Sequence, residues 1–230
     1  MSLAARQLVL DLPHLPALGA EDLLVSRSNE AAVEVVKQWP DWPQSAVLVV
    51  APARAGKTHL GNVWRLRSGA TRVEASALTE TDVASVKPGG AVLVENLHEG
   101  FADLRAAFHL LNLAREHKLS ILLTSRIPAG ELQVQLPDLR SRLRALPVVT
   151  IDPPDESLLR AVLVKHFIDR QLQVEPHTIS YLALRMEQSM EAAATLVDAL
   201  DRAAMASHRR VTRALAADVL GALESEQTQA

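Results

Sequence analysis

The sequence contains no cysteine, which removes disulfides, thiolate zinc and a cysteine nucleophile together. No stretch approaches the roughly 20 apolar residues of a membrane-spanning helix. The first residues also lack the basic segment and apolar run of a secretory signal. Strong charge of either sign is absent: 24 Lys and Arg against 27 Asp and Glu leave a formal charge of -3. That balance argues against a protein that coats nucleic acid non-specifically. Internal repeats and low-complexity tracts are lacking too. These absences lead us to expect a cytoplasmic globular protein. Apolar residues, in contrast, make up 48% of the 230 positions. That is enough for one α/β domain followed by a small helical one.

The stretch that organises the rest is residues 45–60. Ala46-Val47-Leu48-Val49-Val50 is rich in β-branched valine and reads as a buried strand of a parallel sheet. It leads into Ala51-Pro52-Ala53-Arg54-Ala55-Gly56-Lys57-Thr58-His59, which has the P-loop spacing G-x-x-x-x-G-K-[ST] with alanine in place of the first glycine. Phosphate chemistry requires this order. A tight loop turns backbone N–H groups towards the anion, a lysine reaches its outer oxygens, and a hydroxyl holds Mg²⁺. A helix starting near Gly56 aims its positive end at the same place. The strand before and the helical pattern after favour a nucleotide site over a structural loop. Ala51 is the departure, since glycine there normally permits a backbone angle that alanine disfavours.

Further strands are expected over residues 70–74, 91–96, 119–126 and 147–151. The second of these ends in Glu95, where a P-loop protein holds Mg²⁺ or its water. Asn96 then occupies the position at which many ATPases keep an acid to activate water. Asparagine can hydrogen-bond a water but cannot take its proton at neutral pH. Binding is therefore expected rather than fast hydrolysis. The strand ending Thr124-Ser125-Arg126 is expected beside the acid strand, where Thr124 or Ser125 would sense a γ-phosphate. Helices are expected over residues 28–38, 57–67 and 101–117, and a short strand at residues 23–25. Trp39-Pro40-Asp41-Trp42-Pro43 reads either as a core plug or as a cover for an adenine. His98, His109 and His117 are too scattered for a metal site. The basic helix around Arg140-Ser141-Arg142-Leu143-Arg144 reads as a solvated face or as the source of an arginine reaching a neighbour's γ-phosphate.

After residue 152 the pattern changes to helical spacing alone, with segments over 158–167, 176–186, 191–207 and 212–223 and fraying over 225–230. The expected division is a tail over residues 1–20, an α/β nucleotide-binding domain over 21–152 and a helical lid over 153–230. In the tail, Gln7-Leu8-Val9-Leu10-Asp11-Leu12 precedes Pro13, Pro16 and Gly19. It reads as an edge strand or as a short docking motif in which Gln7 enters a polar pocket and Leu10 and Leu12 act as anchors.

Taken in order, the P-loop, acid strand, Thr-Ser strand, Ser-Arg helix and helical lid resemble an AAA+ ATPase. The implied fold is a five-stranded parallel sheet with helices on both faces, then a small all-α lid. The phrases Gly56-Lys57-Thr58-His59-Leu60, Leu122-Leu123-Thr124-Ser125, Leu139-Arg140-Ser141-Arg142-Leu143, Ile151-Asp152-Pro153-Pro154 and Leu200-Asp201-Arg202-Ala203 are similar to the DnaA-related group. The likeness is greatest to the Hda-type regulatory inactivators of DnaA. The resemblance implies ADP or ATP held by residues 51–59, with Mg²⁺ at Thr58 and Glu95, partly through water, and Thr124 nearby. It implies Arg142 as an arginine finger acting in trans on ATP bound to DnaA. It also implies docking on the beta-subunit sliding clamp of DNA polymerase III through Gln7, Leu8, Leu10 and Leu12. The sequence runs out after the lid, so no helix-turn-helix domain and no direct sequence-specific DNA binding are expected; homo-oligomerisation stays open. Glu191 falls where the family carries its sensor-2 arginine. With Ala51 and Asn96, it tilts the expectation to ADP and to a weak or inactive ATPase that activates hydrolysis on DnaA. The alternatives are a self-contained ATPase of helicase-loader type and an inert adaptor.

Overall fold

The structure, a computed structural model, describes residues 24–207 and 210–228. Gln7, Leu8, Leu10 and Leu12, on which the docking motif rests, lie outside the described residues. The sheet comprises β1 (Ala46–Val50), β2 (Thr71–Glu74), β3 (Ala91–Glu95), β4 (Ser120–Ser125) and β5 (Val148–Thr150). They are ordered β2-β3-β4-β1-β5, with every neighbouring pair parallel. All of β1 is buried, because helices cover both faces of a parallel sheet.

The two-residue period of the strands divides the core. Leu48, Val50, Val92, Val94, Ile121 and Leu123 point to one face, Val47, Val49, Leu93 and Leu122 to the other. Helices α1 (Glu30–Gln38) and α2 (Lys57–Ser68) close the second face, with Val33, Leu60 and Trp64 packed inside. The first is closed by α3 (Glu80–Ser85), α4 (Leu104–Glu116) and α5 (Pro137–Arg144), through Val83, Leu110 and Leu139. Trp42 stacks on Trp64 at 5.4 Å between ring centroids, and Trp39 meets Trp64 edge-on at 6.3 Å. The Trp42 indole N–H donates to the Val35 carbonyl at 2.7 Å. The Trp-Pro segment is thus a core plug, fixed to α1 and α2.

Local chemistry moves several boundaries. Asp103 accepts from the N–H groups of Arg105 and Ala106 at 2.8 and 3.1 Å, so α4 starts at its cap rather than at residue 101. Thr79 and Asp82 form a reciprocal capping box that begins α3, a helix the sequence reading passed over. No strand forms at Leu24 and Val25. Instead Asn29 donates to the Leu24 carbonyl and accepts from the Ser26 N–H, both at 2.8 Å, and this folds the segment into a turn.

Helices α6 (Glu156–Asp169), α7 (Pro176–Arg185), α8 (Met190–Ser207) and α9 (Arg213–Thr228) follow. Leu159, Leu163, Phe167, Leu182, Val197 and Leu200 form their own core. Asp155 caps α6 at the Leu158 N–H, 2.7 Å away. Hydrogen bonds from Ser157 and from that N–H hold its carboxyl below the ordinary carboxylate value. Helix α9 continues to Thr228, past the point at which fraying was expected. Among the described residues no helix is long and apolar enough to cross a membrane.

Candidate nucleotide site and the opposite end of the sheet

Because the strands are parallel, the segments leaving β1, β3 and β4 converge at one end of the sheet. The Ala51 N–H donates to the Ser125 carbonyl at 3.1 Å and ties the exit of β1 to that of β4. Ala51 is buried and does not take a positive φ; within the loop Arg54 (63°) and Gly56 (98°) do. The missing first glycine therefore strains nothing in this conformation, contrary to expectation. Pro52, Ala53 and Arg54 form the exposed crest, and Ala55 is buried beneath it. Thr58 is exposed and His59 half-buried on the first turn of α2. That turn carries no acid and no side-chain cap. A Cβ built on Gly56 would meet nothing within 4 Å among the described residues. An open, uncapped helix N-terminus beside a lysine is a fitting receptor for phosphate.

Lys57 is only 8% exposed. Its ammonium donates to the carbonyls of Ala51 and Pro52, each at 2.7 Å, and so curls into the loop. Burial, then the Arg126 guanidinium, pull its pKa from 10.5 to about 8, against the opposing pull of Glu95. Arg126 sits just past β4, and its N–H lies 3.4 Å from Nδ1 of His98. Burial, then Arg126, also lower the His98 pKa. Neither Arg126 nor His98 was assigned to this site from sequence. Proximity of cations in a three-strand junction leaves no signature in local spacing.

The acid strand holds a second surprise. Glu95 is buried at 2% exposure, and its carboxylate is paired with the guanidinium of Arg72 on β2. Arg72 also bonds Glu74 at 3.0 Å, and the other Glu74 oxygen accepts from the Asn96 amide at 2.9 Å. Both positions expected to handle metal and water are thus engaged by β2. The Asn96 N–H donates to the buried Thr124 hydroxyl at 3.2 Å, which locks the tips of β3 and β4 together. A phosphate fits the loop and helix end; a magnesium ion does not fit Glu95 while Arg72 holds it. Among the described residues no group of three or more His, Asp and Glu converges as a metal would need.

The lid reaches this end through Arg54. Its guanidinium bonds Glu187 at 3.1 Å and Glu191 at 3.0 Å, and its carbonyl accepts from the Met190 N–H at 3.3 Å. The carboxylate of Glu191, expected from the sequence at a sensor position, is therefore offset by an arginine of the loop itself.

Arg142 lies elsewhere. It stands on α5 with its guanidinium 5.1 Å from the Phe108 ring centroid. It lines an open cavity of about 820 Å³ together with Trp42, Arg115, Lys118 and the starts of β1 and β4 at Ala46 and Ser120. That is the end of the sheet opposite the P-loop. Arg142 is separated from its own chain's loop by the length of β1.

No protein-family model and no curated protein matches this sequence. Solved structures do match its fold. Domain III of the Thermotoga maritima replication initiation protein DnaA superposes with a TM-score of 0.75 at 16% identity, over 91% of this chain and 98% of that one. AMPPCP-bound DnaA from Aquifex aeolicus gives 0.66 at 18%, over 80% of this chain and 65% of that one. The Thermotoga maritima RuvB Holliday junction branch migration motor gives 0.67 at 16%, over 84% and 66%. The fold is that of a P-loop AAA+ protein. More particularly, its architecture is like that of domain III of DnaA.

Proposed function

We propose that this protein regulates the initiation of chromosome replication by docking on the sliding clamp and promoting hydrolysis of ATP bound to DnaA. The observation that carries this reading is the position of Arg142, at the sheet end remote from its own P-loop and beside an open cavity. An arginine there is out of reach of its own nucleotide and available to another molecule's. An inserted guanidinium stabilises the charge that develops on the transferring phosphoryl group, and such fingers contribute roughly 10³–10⁵ in rate. In this account the chain's own loop holds ADP or ATP through the α2 N-terminus and Lys57. It turns ATP over weakly, since Asn96 cannot serve as a base and its side chain is bound to Glu74. Gln7, Leu8, Leu10 and Leu12 are the residues proposed to enter the clamp. The DnaA-like fold supports a role connected with replication initiation, and two of the DnaA neighbours carry AMPPCP.

The test is hydrolysis of DnaA-bound ATP with DNA-loaded clamp, ADP and this protein. Acceleration by the wild type and its loss in Gln7→Ala are expected. No acceleration by the wild type would overturn the reading and favour a self-contained motor, for which the likeness to RuvB is the supporting observation.

A further inference from the structure

Four charged or polar side chains at the tips of β2 and β3 are linked in series: Glu95 to Arg72, Arg72 to Glu74 and Glu74 to Asn96. Register explains why they meet. Glu74 is paired with Glu95 and Arg72 with Leu93. Alternation then puts Arg72, Glu74, Leu93 and Glu95 on the sheet face covered by α2, and Asn96, just past the end of β3, reaches back to Glu74. Gly61 of α2 permits the close approach: a Cβ there would stand 3.3 Å from Leu93 and 3.8 Å from Oε1 of Glu95. Glu95 is almost fully buried whereas Arg72 is half exposed. The guanidinium is thus the group between that carboxylate and solvent.

In a P-loop site the strand acid serves a divalent ion, and the ion neutralises both the carboxylate and the phosphate. Here the carboxylate is neutralised already. Its partner is fixed in turn by Glu74, while Lys57 and Arg126 add positive charge nearby. A buried carboxylate in a charge-assisted pair with arginine is a stable arrangement that a hydrated Mg²⁺ must break before it can bind. A divalent ion would also enter against three cationic side chains. We infer that Arg72 is the built-in counter-cation of the nucleotide site, so that the loop takes a nucleoside diphosphate without a divalent metal. This rests on the nucleotide reading above and deepens it. It also makes Arg72 a determinant of ligand choice. A triphosphate carries more charge onto the side where the metal would have compensated it, and the diphosphate is the better match.

The test is calorimetric titration of ADP into the full chain, once with Mg²⁺ and once with excess EDTA. Wild-type affinity should agree within about twofold in the two buffers, and Arg72→Gln should lose about tenfold in EDTA and recover it with Mg²⁺, the scale of one charge-assisted contact. Arg72→Gln leaves a buried carboxylate without its partner and can fail to fold. The double variant Arg72→Gln, Glu95→Gln removes both charges and should bind ADP alike in both buffers. A wild-type affinity that falls about tenfold or more in EDTA overturns the inference and leaves the nucleotide reading intact. Equal binding by Arg72→Gln in both buffers also overturns it, because the pair is then only structural. Absence of ADP binding in both buffers overturns the nucleotide reading and this inference with it.

Discussion

The end of the sheet that carries the P-loop and the end that carries Arg142 treat charge differently. At the first, Glu95 is met by Arg72, Glu191 by Arg54, and the Lys57 ammonium by two carbonyls of its own loop. At the second, Arg115, Lys118 and Arg142 line an open cavity that has no Asp or Glu among its described lining residues. Charges satisfied within a fold hold a loop in shape. Charges that face a cavity of one sign attract a partner and set how it approaches. On the reading proposed above, the first end would retain a nucleotide and the second would act on another molecule.

The largest effect is expected at the aromatic plug that joins the two ends. Trp64 is fully buried on α2, and its stacking partner Trp42 lines the Arg142 cavity. Trp64→Ala should cost about 3–5 kcal/mol in denaturant unfolding, and the loss should register in both ADP binding and action on the partner. A smaller effect is expected from pH. The Lys57 ammonium is the form that meets phosphate, and in the free protein it titrates at about 8 rather than 10.5. ADP affinity should therefore be steady below about 8 and fall as pH rises beyond it, by at most about tenfold per unit, with proton uptake on binding measurable by calorimetry in buffers of different ionisation enthalpy. Without ligand the linkage has the opposite consequence. The unfolded chain holds the Lys57 proton more tightly than the folded one, so stability rises between about 8 and 10.5. The smallest effect is at the lid. Arg54, Glu187 and Glu191 are substantially exposed, so Arg54→Ala should cost under about 1 kcal/mol of stability. A larger loss would mean that the lid contact holds the loop more firmly than exposed ion pairs do.

What the sequence revealed, and what it hid, follows the range of the forces involved. Strands β1, β3 and β4 were legible because fully buried parallel strands read as continuous Val- and Leu-rich runs, and the P-loop spacing is local. Helix α3 was missed although Thr79 and Asp82 sit at capping-box spacing; it is six residues long, too short to show a helical period. A strand was expected at residues 23–25 because three apolar residues stand together there. Leu24 instead packs against the lid core. Ala51 raised a strain that does not arise, since backbone angles belong to the loop as a whole and Arg54 takes the left-handed position. The pairing of Glu95 with Arg72 was invisible for a different reason. It spans 23 positions in sequence and depends on β2 lying beside β3, which only the sheet order supplies. The same holds for Arg54 with Glu187, separated by 133 positions.

In the proposed function this chain holds one nucleotide and acts on another, with the two tasks at opposite ends of its sheet. The most direct measurement takes the single variant Arg142→Ala through both. ADP affinity should stay within about twofold of wild type, as for other substitutions away from a binding site. Stimulated hydrolysis of DnaA-bound ATP should be lost in the same preparation. Stimulation that survives Arg142→Ala would contradict the account.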